Sequence, residues 1–208
     1  MVATGFAFQS SPANRPWPPG VQKVSDESPV LSPVDALKTF YMPPGYHLEL
    51  VASEPLVEDP TVIDWDLSGR LWVVEMTGFV RDLQTKEPNL DPIGHVAVLE
   101  DTNRDGVMGK RTVYADKLDV PRAIGFIGDQ VLIGDPPHLW LTRDRNGDDV
   151  MDEKVAIASD FGAADNIEQS PNGLLWGRDN WLYNANYKIR LRPVGREWKR
   201  EPMPLLGQ

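Results

Sequence analysis

Residues Leu99–Gly109, LEDTNRDGVMG, decide the fold assignment, because the chain repeats their pattern at Leu141–Asp152, LTRDRNGDDVMD. Asp144 follows Asp101 by 43 residues, and the Asn and Asp at the third and fifth loop positions recur in register. In both copies an apolar run leads into an acidic turn and a β-branched run leads out, which is typical of a strand, a loop and a second strand. A repeat of roughly 40–50 residues built from short strands predicts the blades of a β-propeller.

The composition narrows the class of protein. The chain has 208 residues, a formal net charge of −10 and no cysteine. The missing cysteines exclude disulfides, thiolate metal sites and a C-x-x-C-H haem attachment within this sequence, and the missing basic cluster argues against nucleic-acid binding. No apolar run reaches the roughly 20 residues that span a bilayer. Residues Met1–Ser11 lack the basic start and the long apolar core of a signal peptide.

The order of the segments predicts an all-β fold that follows an extended leader and one short helix. Residues 1–31 are rich in proline and predict the extended leader. Ser32–Phe40 has a serine N-cap, a proline at the first helical position and an acid in the first turn, so it predicts the helix. Residues 32–208 then predict a partial propeller of about three four-stranded blades, at about 61–116, 121–160 and 172–202. We interpret Trp72 and Trp181 as aromatic residues at one strand position that packs between blades.

Three blades do not close a ring, since propellers have at least four. An open stack would also leave one sheet face uncovered, which is an aggregation hazard. We therefore expect the chain to be part of a longer propeller. Closure by association with a second copy is the alternative.

The two acidic loops predict calcium sites. Calcium loops of EF-hands supply side-chain oxygens from positions 1, 3 and 5 and a backbone carbonyl from position 7. The corresponding groups are Asp101, Asn103, Asp105 and the carbonyl of Val107 in the first loop, and Asp144, Asn146, Asp148, the carbonyl of Val150 and, at position 9, Asp152 in the second. Each loop departs from the pattern: position 6 is Asp149 in the second loop, position 9 is Gly109 in the first, and neither has the Glu at position 12. The alternative is that the loops are Asx turns that need no metal.

Few residues outside the loops suggest chemistry. We interpret His47, His95 and His138 as surface or strand-end residues, because nothing gives them the spacing of metal ligands. The motifs of serine hydrolases, zinc proteases and P-loop proteins are missing. The polar stretch Asn166–Tyr187 leads into the inner strand of the third blade, where propellers bind ligands at the mouth of the channel. The alternative is a polar connecting loop with one buried Asn.

Three stretches resemble a known family. They are Met42–Met76 (MPPGYHLELVASEPLVEDPTVIDWDLSGRLWVVEM), Val98–Leu118 (VLEDTNRDGVMGKRTVYADKL) and Asn172–Asn186 (NGLLWGRDNWLYNAN). Together they are similar to the N-terminal propeller of bacterial membrane-bound dehydrogenases, which are related to the quinoprotein-like glucose/sorbosone dehydrogenases. The resemblance implies a six-bladed propeller, an extracytoplasmic location and oxidation of a sugar or an alcohol. It also implies pyrroloquinoline quinone as cofactor and a c-type cytochrome domain or protein as electron acceptor.

One residue departs from this family pattern. The dehydrogenases have a histidine before the strand that starts the blade, and Gln169 stands at the matching position. A glutamine amide cannot accept the hydroxyl proton of the substrate as a base does. The resemblance makes the first interpretation part of an extracytoplasmic quinoprotein-like sugar or alcohol dehydrogenase, and Gln169 counts against that activity. The alternatives are a non-catalytic propeller that binds a carbohydrate or a protein, and a calcium-dependent lactonase-like hydrolase.

Overall fold

The computed structural model describes residues 29–78, 91–162 and 170–204. In this part of the chain, twelve strands form three four-stranded antiparallel sheets, and each sheet is built in chain order. Sheet 1 contains β1 (Pro60–Trp65), β2 (Leu71–Glu75), β3 (Gly94–Glu100) and β4 (Lys110–Leu118); sheet 2 contains β5 (Ala123–Ile127), β6 (Gln130–Asp135), β7 (His138–Arg143) and β8 (Glu153–Ala158); sheet 3 contains β9 (Asn172–Trp176), β10 (Leu182–Ala185), β11 (Ile189–Val194) and β12 (Glu197–Pro202).

Among the described residues, 29–53 belong to one compact unit and those from Glu54 onward to a second. In the first unit, helix α1 (Pro33–Leu37) begins at the N-cap Ser32, whose hydroxyl oxygen accepts the Asp35 N–H at 3.1 Å. The sequence prediction of one short helix and four-stranded sheets is confirmed. The predicted leader lies almost wholly outside the described residues. None of the helices in the described ranges is long and apolar enough to cross a membrane.

The hairpin between β1 and β2 shows how the sequence sets a turn. The Asp66 carboxylate accepts the backbone N–H groups of Ser68 and Arg70 at 2.9 and 3.0 Å, and also the indole N–H of Trp72 at 3.0 Å. Gly69 takes a φ of +79°, which costs little only without a Cβ. This carboxylate therefore fixes both the turn and the first large side chain of β2.

The sheets pack face to face through two apolar clusters. The first strands of neighbouring sheets, β1 with β5 and β5 with β9, contact each other, as the innermost strands of a propeller do. The cluster between sheets 1 and 2 contains Trp72, Val74, Val96, Val98, Tyr114, Ala115, Leu118, Ile124, Val131 and Ile133. The cluster between sheets 2 and 3 contains Leu132, Leu139, Ala158, Phe161, Leu182, Tyr187 and Leu191. Each large apolar side chain buried there contributes about 1.5–3 kcal/mol.

Trp72 and Trp181 do not occupy the same strand position. Trp72 lies between the sheets, with ring centroids 4.8 Å from Tyr114 and 5.3 Å from Phe126. The pairing of Trp65 with Leu71 and of Trp176 with Leu182 makes Tyr183 the counterpart of Trp72. Trp181 comes two residues earlier, before β10, and carries the Arg190 guanidinium at 4.3 Å. The prediction that the two tryptophans occupy equivalent positions is therefore wrong. Each tryptophan lies next to a leucine, but Trp72 follows Leu71 whereas Trp181 precedes Leu182.

Candidate functional site

The two acidic loops lie at equivalent places in their sheets. The first connects β3 to β4 in sheet 1, and the second connects β7 to β8 in sheet 2. Each loop leaves its third strand at the Asp of position 1, Asp101 or Asp144, and is closed by a backbone hydrogen bond near its end. These bonds run from Gly109 N–H to the Glu100 carbonyl and from Asp152 N–H to the Arg143 carbonyl, each at 2.9 Å. The structure therefore brings the predicted ligands of each loop into one turn.

In the first loop the side-chain oxygens accept hydrogen bonds from the backbone of the loop. The Asp101 carboxylate accepts the Asp105 and Gly106 N–H groups at 3.2 and 2.8 Å. The Asp105 carboxylate accepts the Val107 N–H at 2.8 Å and the Asn103 amide at 2.9 Å. The hydrogen bond from the Gly106 N–H, together with those from other backbone N–H groups of the loop, holds the pKa of Asp101 below its ordinary value.

The second loop repeats this pattern. The Asp144 carboxylate accepts the Gly147 and Asp149 N–H groups, both at 2.8 Å. The Asp148 carboxylate accepts the Val150 N–H at 2.9 Å and the Asn146 amide at 3.1 Å. Burial acts to raise the pKa of Asp144, but the backbone N–H groups outweigh it and the pKa is lowered. Asp152 accepts the Arg145 N–H at 2.7 Å, so the acid at position 9 also binds the loop backbone.

Backbone geometry explains why the glycine moves between the loops. Positions 4 and 6 are left-handed in both: Arg104 and Gly106 have φ of +61° and +90°, and Gly147 and Asp149 have φ of +79° and +65°. Each loop places glycine at one of the two positions and tolerates a side chain at the other. Asp is among the side chains that accept this conformation most readily. The missing glycine at position 6 of the second loop is therefore offset by the glycine at position 4.

The fit to a metal can be judged from these bonds. Across the described ranges, no three His, Asp or Glu side chains come together in a group that could hold a metal ion. The carboxylates of the two loops instead satisfy backbone donors, as Asx turns do. Calcium in the loops stays a prediction.

The second loop also binds the neighbouring sheet. Arg70, in the first hairpin of sheet 1, ion-pairs with Asp149 and, at 2.7 Å, with Asp66. The Met151 N–H donates to the Tyr114 carbonyl at 2.8 Å. The Tyr114 hydroxyl lies 3.0 Å from the Thr142 hydroxyl, and burial raises the pKa of Tyr114 to about 12. The second loop, through Asp149 and Met151, is thus a clasp between sheets 1 and 2, a role that its sequence pattern does not indicate.

A cleft of about 210 Å³ lies beside this clasp, between sheets 1 and 2. Its walls combine carboxylates with aromatic rings, and Arg70 ion-pairs with two of those carboxylates. The lining residues are Asp66, Arg70, Trp72, Tyr114, Phe126, Gly128, Asp129, Gln130, Val131, Asp144 and Asp149.

The opposite ends of the sheets are where the innermost strands begin. The Thr61 hydroxyl, at the start of β1, donates to the Val74 carbonyl at 3.1 Å and, more weakly, to the Pro121 carbonyl at 3.4 Å; Pro121 lies two residues before β5. Arg122 lies between Pro121 and β5, and its backbone N–H donates to the Gly134 carbonyl at 2.9 Å. Its Nε and Nη1 atoms are buried and donate no hydrogen bond. Gln169 and the first part of the polar stretch Asn166–Tyr187 lie outside the described residues.

Sheet 1 contains a buried charged cluster at this same end. Glu75, the last residue of β2, is fully buried. Its carboxylate accepts the Glu58 N–H at 2.7 Å and lies 2.6 Å from His95 Nε2 and 2.7 Å from Arg111 Nη2. His95 does lie at a strand end, and its Nε2 lies within hydrogen-bond distance of the buried Glu75 carboxylate. The one signal in the sequence is a glutamate that ends the apolar run Leu71–Val74.

The comparisons with known proteins bear on the fold and the family. A gluconolactonase from Xanthomonas campestris, described as important in glucose secondary metabolic pathways, has a similar structure, with a TM-score of 0.50 and 18% sequence identity. The similarity covers 76% of this chain and 52% of the gluconolactonase, so the chain spans about half the length of that protein. No curated protein sequence matches the chain. One family profile, described as a domain of unknown function (DUF7133), matches residues 32–197, and the chain belongs to that family.

Proposed function

We propose that the chain is part of a propeller enzyme that hydrolyses lactones of sugar acids. The observation that carries the proposal is the backbone similarity to a gluconolactonase, which extends over most of the chain. The proposal is compatible with the propeller arrangement, in which the innermost strands begin together at one end of the sheets. Small-molecule sites in closed β folds commonly lie at such mouths.

The reaction sets clear requirements on the site. Water adds to the lactone carbonyl, the ring C–O bond breaks, and a carboxylate and a hydroxyl group are formed with release of one proton. A group must accept the proton of the attacking water, and hydrogen-bond donors must face the oxygen on which negative charge develops. The end at which β1 and β5 begin offers both signs of charge among the described residues: Glu58 and Asp59 precede β1, and Arg122 precedes β5.

The dehydrogenase interpretation ranks second. Its support is the resemblance of Met42–Met76, Val98–Leu118 and Asn172–Asn186 to the membrane-bound dehydrogenases. Gln169 cannot act as the base that this chemistry needs. No described residue can be assigned to pyrroloquinoline quinone. The cytochrome partner and the extracytoplasmic location belong to this interpretation and stay predictions.

A non-catalytic propeller that binds a carbohydrate is the third candidate. Its support is Gln169, which lacks the basic group that the dehydrogenases have at the matching position. A binding module would bind a sugar without altering it. It would therefore be inactive in both of the assays that follow.

Two parallel assays separate these functions. Hydrolysis of glucono-δ-lactone is followed by acid release at constant pH, with added Ca²⁺ and with a chelator. Reduction of a dye by glucose and simple alcohols is followed with added pyrroloquinoline quinone and Ca²⁺. Lactone hydrolysis above the spontaneous rate, without dye reduction, is the expected result. Dye reduction without lactone hydrolysis would replace the first proposal with the second.

The calcium prediction is tested apart from activity. If the loops bind Ca²⁺, the ion raises the melting temperature of the wild-type chain, because binding to the folded state stabilises it. The double variant Asp101→Asn, Asp144→Asn should then lose that shift. If Ca²⁺ does not change the melting temperature of the wild-type chain, the calcium prediction is wrong and the loops are Asx turns without a metal.

A further inference from the structure

We propose that Arg122 binds the carboxylate of a sugar acid where the innermost strands begin. This inference rests on the proposed function for the identity of the ligand. A lactonase releases a sugar acid, and the carboxylate is the one group by which that product differs in charge from the substrate. Arginine is the side chain best suited to carboxylates, since its planar guanidinium stays charged and presents several donors.

The first support is the position of Arg122. It lies directly before β5, beside Pro121, whose carbonyl accepts the Thr61 hydroxyl at the start of β1. Its neighbours Pro121 and Ala123 are buried, and its own N–H is bonded to the Gly134 carbonyl at 2.9 Å. The backbone that carries the side chain is therefore held by its hydrogen bond to β6, and it belongs to the end of the sheets at which we expect a propeller ligand.

The second support is that the guanidinium has no partner. Its Nε and Nη1 atoms are buried and donate no hydrogen bond to any described residue, and it forms no ion pair and no contact with an aromatic ring in that part of the chain. Burial lowers the pKa of Arg122, and no acidic side chain in the described ranges opposes that effect. Several other arginines, by contrast, pair with an Asp or a Glu, namely Arg70, Arg111, Arg143, Arg145, Arg190 and Arg200.

The energetics favour an anionic ligand. A partly desolvated cation without hydrogen-bond partners is costly to a folded protein, and the cost is recovered when an anion supplies both the charge and the acceptors. Each hydrogen bond between charged groups is worth about 1.5–3 kcal/mol, which corresponds to roughly 10- to 100-fold in affinity. The residue thus fits a ligand site better than a structural one.

The test measures binding of gluconate and of uncharged glucose by calorimetry, with the full chain. Arg122→Gln should weaken gluconate binding about 10- to 100-fold and leave glucose binding within about 3-fold, while Arg122→Lys should recover part of the loss. The matched control is Arg145→Gln, which removes an exposed arginine paired with Glu153 and should leave both affinities unchanged.

Thermal melting without ligand distinguishes a binding role from a structural one. Because the side chain has no partner to lose, Arg122→Gln should melt at or above the wild-type temperature. A marked drop would show a structural role and overturn the proposal, as would a wild-type chain that does not bind gluconate or a variant that loses glucose and gluconate equally. Hydrolysis of lactone together with unchanged gluconate binding in Arg122→Gln would refute this inference alone. Arg122-dependent gluconate binding without hydrolysis would refute the proposed function alone.

Discussion

Replacing Glu75 by glutamine should destabilise the protein more than replacing any exposed acid. The Glu75 carboxylate is fully buried and serves three groups: the Glu58 N–H, the His95 ring and the Arg111 guanidinium. A glutamine at this position keeps a carbonyl oxygen that can accept the Glu58 N–H. Its amide NH₂ group, however, replaces the oxygen that faces Arg111 and His95, so the Arg111 guanidinium would meet a donor and not an acceptor. Removing one partner of a buried ion pair costs about 3–5 kcal/mol, because the remaining charge is left without compensation. That is a large part of the 5–15 kcal/mol by which domains are typically stable.

The assay is urea unfolding at pH 7, followed by tryptophan fluorescence and circular dichroism. The matched control is Glu100→Gln in the same sheet, since Glu100 pairs with Lys110 at the surface and should change the free energy of unfolding little. A double variant, Glu75→Gln with Arg111→Met, tests the cause. If the cost is the unpaired guanidinium, removing it should recover part of the loss. A Glu75→Gln variant within about 1 kcal/mol of the wild type would refute the reasoning.

Three further predictions concern the sheets and the clasp. Gly134→Ala should lower the free energy of unfolding by about 1–3 kcal/mol, because its new Cβ would lie 2.8 Å from atoms of two buried side chains. The control is Gly109→Ala, whose Cβ would have its nearest neighbour at 3.6 Å and which should unfold in urea like the wild type. Asp135→Asn should keep the bonds from two backbone N–H groups that its Oδ1 accepts at 2.9 and 2.8 Å. Burial raises the pKa of Asp135, so the folded form holds its proton more firmly than the unfolded form, and the stability of the wild type relative to Asp135→Asn should fall as the pH rises from 4 to 7. Asp149→Gly should change stability by less than about 1 kcal/mol in thermal melts, since relief of a positive φ opposes loss of the bridge to Arg70, and a larger loss would show that the bridge dominates.

The repeat of the acidic loops was enough to predict the architecture. Local patterns, such as the apolar runs on either side of Asp101 and Asp144 and the Gly69 turn, determine strands and hairpins, and the sheets form between neighbouring strands in the sequence. The contacts between sheets were not predictable in the same way. Which side chain faces a neighbouring sheet depends on register, and a small shift separated Trp181 from the position that it was expected to share with Trp72.

The candidate sites were harder to predict because their members are distant in sequence. Glu75 and Arg111 are 36 residues apart and meet only after β2, β3 and β4 have paired. Arg122 has no motif around it, and its distinguishing feature is that no described residue pairs with its guanidinium, which a sequence does not show. The acidic loops had the opposite property: their residue types suggested a metal, while the structure shows how the same oxygens bind the backbone of the loop.

The clasp between sheets 1 and 2 has a consequence for how such a chain can evolve by duplication. The loop of sheet 2 is held by an arginine and a carbonyl that belong to sheet 1. A duplicated blade would therefore carry the acidic loop, while the arginine and the carbonyl that bind this loop belong to the preceding blade. Moving that blade elsewhere in a ring would lose the ion pair unless the preceding blade also offered an arginine at this place, so the contact depends on a pair of neighbouring blades and not on one blade alone.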